Sequence, residues 1–211
     1  MAFNTVALCH RCRRVSTFLL EIGTEELPAD FARLALPQLE QLVRRDLAEA
    51  RLAHGAVALT STPRRLAVTV EQLPESQPDL QEERKVPSAD QAFKAGVPSK
   101  AAIGFARRCG IKPEALGVRE TPKGSFVFAT VLERGQPTSA VLARLIPQWI
   151  ASLQGRRFMR WGEGESRFSR PVRWLVALFD SVVVPVSLDG CDPQVEAGRT
   201  SRGHRLAGEG V

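Results

Sequence analysis

The apolar run Thr17-Phe18-Leu19-Leu20-Glu21-Ile22 predicts a strand, closed by Gly23. Thr24-Glu25-Glu26-Leu27-Pro28 then predicts a helix start, with Pro28 at the first helical position and Asp30 in the first turn, where the helix dipole favours negative charge. Leu34, Leu39, Leu42, Val43 and Leu47 recur at helical spacing, while Arg44, Arg45, Asp46 and Glu49 fall on the other side. The pattern reads as an amphipathic helix to about Arg51, kinked or restarted at Pro37 and ended by His54-Gly55. Ala56–Thr60 and Leu66–Val70 alternate weakly and predict a strand pair, joined by the basic link Ser61-Thr62-Pro63-Arg64-Arg65.

Further along, residues 74–86 are rich in Gln, Glu, Asp and Pro and read as a surface loop. Ser99 is placed to cap a helix running to about Cys109, with Gly110 just past its end and Ala102, Ile103, Phe105 and Ala106 inward. Ser125–Glu133 predicts a strand, alternating Phe126, Phe128, Thr130 and Leu132. Pro137–Leu153 predicts a second amphipathic helix with Val141, Leu145, Trp149 and Leu153 on one stripe. Val172–Phe179 and Val182–Leu188, separated by Asp180-Ser181, have hairpin spacing. No internal repeat is evident. Hairpins mixed with separate helices favour an α+β fold over a regularly alternating βαβ sheet: antiparallel strands and hairpins, with amphipathic helices packed against them.

Composition narrows the class. The chain has 211 residues, 44% apolar and 25% charged, which excludes wholesale disorder and allows one or two domains. No apolar run approaches the ~20 residues of a membrane helix. The net charge is +6, and 24 of the 29 basic residues are Arg. Arg suits bidentate contacts to phosphate or carboxylate, although a GC-rich genome also yields an Arg-heavy chain. The four cysteines, Cys9, Cys12, Cys109 and Cys191, are scattered, which fits a reducing cytoplasm. Cys9-His10-Arg11-Cys12 lacks the second ligand pair that a zinc site needs. Residues 1–15 have no apolar core suited to a signal peptide and read as an unstructured extension before a domain at 16–211. A division of that domain at about 16–155 and 156–211 is the alternative to one continuous region.

The candidate chemistry is sparse. Glu21, Glu25 and Glu26 form an acidic group suited to acid–base work or Mg²⁺, or simply a charged helix start, with no basic partner nearby in sequence. Gly162-Glu163-Gly164 is a turn, since neither phosphate-loop pattern is present. No nucleophile elbow and no zinc-hydrolase motif occurs, and His54 reads as a helix-end residue. The unusual feature is basic and aromatic together: Arg156-Arg157-Phe158-Met159-Arg160-Trp161, Arg167-Phe168-Ser169-Arg170-Pro171-Val172-Arg173-Trp174, and Arg199 to Arg205. Such residues bind phosphates and stack on unpaired bases. Equally, the aromatics can face a core while the Arg side chains are solvated or paired.

Six segments, in one order, resemble the β subunit of bacterial-type glycyl-tRNA synthetase: Phe18 to Pro28, Thr62 to Ala67, Gly104 to Gly110, Met159 to Gly162, Phe168 to Trp174 and Thr200 to Arg205. Residues 1–15 depart from the family, which usually begins near the first strand. Val15 is compatible with a GTG start codon, which would make the C-x-x-C a translation-start artefact. Lys85-Val86-Pro87-Ser88 also departs, where the family tends to carry Gly before Pro.

The resemblance implies the N-terminal third or so of a longer subunit, from a cytoplasmic α2β2 glycine–tRNA ligase that charges tRNA-Gly using ATP and Mg²⁺. Glycyl-adenylate chemistry, with ATP and Mg²⁺, would belong to the α subunit, so no catalytic residue, metal site or cofactor is assigned here. This part alone is expected to be inactive. The implied partners are the α subunit, tRNA-Gly and a second β subunit, and no membrane. The candidates for tRNA or subunit contact are Arg64, Arg65, Arg160, Trp161, Arg170, Arg173, Arg202, His204 and Arg205. A stand-alone RNA-binding module and a non-catalytic interaction scaffold are the alternatives.

Overall fold

The computed structural model describes residues 15–88, 93–94, 97–108, 110, 112, 116–121, 124–156, 158–161, 167–188 and 194–203. Expectations for residues 1–14, the four cysteines, Gly162-Glu163-Gly164, His204 and Arg205 lie outside these residues. The chain divides into two compact units, one of residues 1–77 with 136–211 and the other of residues 78–135. Residues on both sides of position 155 therefore belong to the first unit.

The elements follow in chain order. They are β1 (Val15–Thr24), α1 (Phe31–Glu49), β2 (Val57–Thr62), β3 (Arg65–Pro74), β4 (Leu80–Ser88), β5 (Phe93–Lys94) and β6 (Val97–Pro98). After them come α2 (Lys100–Arg108), β7 (Gly117–Thr121), β8 (Gly124–Glu133) and α3 (Thr138–Ser152). The last are β9 (Met159–Arg160), β10 (Arg167–Phe168), β11 (Val172–Phe179), β12 (Val182–Val183), β13 (Ser187–Leu188) and β14 (Val195–Gly198). This is the α+β class that the hydrophobic pattern implies.

The first unit is built on a sheet in the order β13-β14-β11-β1-β3-β2, with β12 on β11. Its pairs are antiparallel except β11 with β14, which run parallel. Alternation along β1 sends Phe18, Leu20 and Ile22 into the core, where α1 and α3 supply Phe31, Ala35, Leu39, Val43, Leu47, Val141, Leu142, Ile146 and Trp149. The Phe18 and Trp149 rings stand 6.2 Å apart, joining sheet to helix. Glu21 and Gly23 take the opposite parity of β1. Their neighbours in register, Ala67 and Arg65 on β3 and Val176 and Trp174 on β11, share that second face. Val15, expected in the extension, is the first residue of β1 and pairs with Pro74.

Several expectations are corrected here. Pro28 does not open α1: it precedes the helix by three residues, its carbonyl accepts from the Phe31 amide, and Asp30 is the N-cap. Leu34 is 40% exposed, whereas Asp46, placed on the polar side, is buried. The stripe Phe31, Ala35, Leu39, Val43 and Asp46 explains both, because it advances by helical turns and leaves Leu34 on its edge. The Trp149 indole N–H donates to Asp46 Oδ2 at 2.8 Å, so the buried carboxylate is partnered from α3. The hydrogen bond from Arg45 to Asp46, reinforced by the charge attraction, raises the Arg45 pKa. Helix α1 runs through Pro37 without a restart. The second hairpin strand is only Val182–Val183; beyond it Val184 and Val186 are buried, the Val184 amide donates to the Ala177 carbonyl, the Val186 carbonyl accepts from the Ala197 amide, and β13 begins at Ser187.

In the second unit, residues 80–88 form a strand on β8 rather than a surface loop, in the sheet β4-β8-β7. Polar composition misled here because strand pairing is a backbone property. The register shift between Lys85 and Ser88 accommodates Pro87, which cannot donate to the ladder. Ser99 Oγ accepts from the Ala102 amide at 3.3 Å and caps α2, and Gly110 adopts φ +66° past its end. Ala102, Phe105 and Ala106 are buried, but Ile103 is 48% exposed. In β8, Ala129 is buried and Leu132 is 57% exposed, so the apolar alternation does not mark the buried face there.

Candidate functional site

The site is built on the second face of the first unit's sheet, around Trp174. Trp174 on β11 faces Gly23 on β1 in direct register. A Cβ at Gly23 would lie 1.9 Å from the Trp174 ring, so the indole lies flat over the glycine. Gly23 is thus required for close approach, and the register of β1 against β11 shifts immediately after it. This cross-strand arrangement leaves Trp174 only 6% exposed.

Glu21, two residues earlier on the same face, is the hub. Its Oε1 accepts from the Trp174 indole N–H at 2.6 Å and from the Ser201 hydroxyl at 2.6 Å. Its Oε2 accepts from Arg65 Nη1 at 3.0 Å. A carboxylate that is 8% exposed is tolerable only with such partners, because isolated burial of its charge is costly. Arg65 extends the network: Nη1 also donates to Ser201 Oγ at 2.8 Å and Nη2 donates to the Arg202 carbonyl. Arg65 Nε is buried with no hydrogen-bond partner among the described residues.

Three guanidinium groups surround the indole. The Arg64, Arg65 and Arg202 carbons lie 6.0, 5.7 and 5.6 Å from the Trp174 ring centroid, within cation–π range. Arg64 sits in the tight β2–β3 turn, where its carbonyl accepts from the Thr24 amide and the Pro63 carbonyl accepts from the Leu27 amide. The segment after β1 is thereby pinned to the hairpin that presents Arg64.

Other candidates brace the surroundings. Arg173 pairs with Glu25 Oε1 through Nε at 2.9 Å and also through Nη2. Arg170 donates to the Glu26 and Ser169 carbonyls, both at 3.1 Å. The Glu21 and Glu25 carboxylates therefore do have basic partners, but Arg65 and Arg173 come from distant segments. Arg160 and Trp161 belong to the β9–β10 hairpin region, where the Trp161 N–H donates to the Phe168 carbonyl at 2.9 Å. Phe158 and Phe168 pack with Phe31 at 5.7 and 5.5 Å, so these aromatics serve the core. His54 Nδ1 lies 2.9 Å from the Gly55 carbonyl at the end of the α1 region.

Sequence reasoning did not single out Gly23, Trp174 or Ser201 as parts of the site. The parity of β1 was the available signal: it places Glu21 and Gly23 together, away from Phe18, Leu20 and Ile22. Among the described residues, no group of three or more His, Cys, Asp or Glu is arranged to hold a metal ion. No helix among them is long and apolar enough to cross a membrane.

Fold and site define an α+β protein in which the sheet face opposite the Phe18, Leu20 and Ile22 core carries a carboxylate-braced arginine cluster. Comparison with known proteins makes the assignment specific. The family model described as glycyl-tRNA synthetase beta subunit matches residues 18–211. The chain is 49% identical over 192 residues to the glycine–tRNA ligase beta subunit of Trichodesmium erythraeum, covering 91% of this chain and 27% of that protein. It is 48% identical to that of a Picosynechococcus strain, covering 93% and 28%, and 44% identical to that of Geobacter sulfurreducens, covering 89% and 27%. The chain belongs to the glycyl-tRNA synthetase beta subunit family. It spans about a quarter of the length of these relatives.

Proposed function

We propose that this chain is the N-terminal region of the β subunit of a cytoplasmic glycine–tRNA ligase, acting with a catalytic α subunit in an α2β2 assembly. Its task is to hold tRNA-Gly and the α subunit during ATP-dependent glycylation, with ATP and Mg²⁺ bound by α. The observation that supports this reading is the family match over residues 18–211, which includes the separate segments that meet at Trp174. Arg64 and Arg202 are the leading contacts. Arg65, Arg170 and Arg173 are engaged with Glu21, with main-chain carbonyls and with Glu25.

The test is glycylation of a tRNA-Gly transcript by the α subunit with and without the β chain at its native length. Charging should require both, and residues 16–211 alone with α should give little or none. Equal charging by α alone would overturn the reading. RNA retention without any α-subunit association would favour an independent RNA-binding module instead.

A further inference from the structure

The arginines around Trp174 fall into two kinds. Arg65 is turned inward: its fork is occupied by Glu21, Ser201 and the Arg202 carbonyl, and its Nε is closed off from solvent. Arg64 and Arg202 share the same indole, yet among the described residues neither has a carboxylate within ion-pair distance. Arg202 is exposed and Arg64 half-buried. With Glu21 balancing Arg65, these two are, among the described residues, positive charges with no carboxylate paired to them. Paired guanidinium forks match phosphate oxygens, and a cation over an aromatic ring is held in orientation. Trp174 itself is 6% exposed and closed on one side by β1, so no open ring face remains for a base to stack on.

We propose that Arg64 and Arg202 form a two-arginine receptor for an RNA backbone phosphate, and that Arg65, clamped by Glu21, is the positioning residue that sets Arg202 in place. The proposal rests on the reading of the chain as a tRNA-handling subunit. It adds the chemistry of the contact, phosphate rather than base, and the division of labour among the arginines. Arg65 positions Arg202 because it ties Ser201 and the Arg202 carbonyl, 136 and 137 residues downstream, to the start of β3. Lysine would keep the charge there, but its single ammonium lacks the planar fork that reaches three acceptors at once.

The experiment measures binding of a tRNA-Gly transcript to the assembled α/β complex across a salt series. Arg64→Gln and Arg202→Gln should each weaken binding roughly three- to tenfold and lower the log–log salt slope by about 0.7–0.9, equally for tRNAs of unrelated sequence. Arg65→Lys should weaken binding about as much as Arg202→Gln and add little to it in the double variant. A ¹⁹F signal from fluorotryptophan at position 174 should move in both single variants. If Arg65→Lys does not fold, Ser201→Ala removes an anchor of the same segment without changing any charge and carries the same non-additive expectation. Unchanged affinity and slope in Arg64→Gln and Arg202→Gln would overturn the phosphate receptor, and loss of α-subunit assembly in their place would assign the pair to an acidic protein surface. Additive losses for Arg65→Lys and Arg202→Gln would overturn the positioning role. A wild-type complex that binds tRNA no better than α alone would remove the functional reading itself, and the receptor with it.

Discussion

Replacing Gly23 by alanine probes the foundation of the site with the smallest possible change. The added methyl would fall 1.9, 2.0 and 2.4 Å from three Trp174 ring carbons, far inside contact distance. Two relaxations are open. The indole could leave, forfeiting burial of about 200 Å², roughly 5 kcal/mol, together with its bond to Glu21. Alternatively β1 and β11 could move apart locally, an overpacking cost of ~1–3 kcal/mol. The second is cheaper, so Gly23→Ala should destabilise the first unit by about 3 kcal/mol. With an m-value of ~2 kcal/mol/M, the urea midpoint followed by tryptophan fluorescence would fall by ~1.5 M. The cost should vanish to within ~0.5 kcal/mol in a Trp174→Ala background, because alanine is otherwise better than glycine in a strand. A Gly23→Ala protein with wild-type stability and an unchanged Trp174 environment would refute the reasoning.

Other consequences are independent of that contact. Glu21→Ala should cost about 3–5 kcal/mol in chemical denaturation, because it strands the Arg65 guanidinium and removes partners of Trp174 and Ser201. Trp149→Phe should cost about 2–3 kcal/mol by leaving the buried Asp46 carboxylate without its indole donor. Ser99→Ala should lower α2 protection in hydrogen exchange by about 1 kcal/mol, with no effect on α1 protection.

Periodicity made the helices and the long strands legible, since α1, α3, β1 and β11 each bury a face that the spacing of apolar residues marks. It failed where burial and polarity part company. Asp46 is buried because Trp149, 103 residues away, partners it. Strand β4 pairs through its backbone despite a composition that reads as loop. The arginine-rich segments were visible as composition, but composition could not separate Arg65 from Arg64. Adjacent in sequence, one is consumed by Glu21 and the other presented by a turn, and only the pairing of β1 with β3 distinguishes them. Glu21 and Glu25 looked unpartnered for the same reason, as their arginines arrive 44 and 148 residues later.

The site thus depends on sheet parity. One face of β1 carries the core, the other carries a glycine and a glutamate that seat a tryptophan, and the tryptophan and glutamate together order the arginines. The most direct test of this account is the salt dependence of tRNA-Gly binding by the α/β complex carrying both Arg64→Gln and Arg202→Gln. The account predicts a slope lowered by about 1.5 relative to wild type, with α-subunit assembly intact. A wild-type slope in the doubly substituted complex would contradict it.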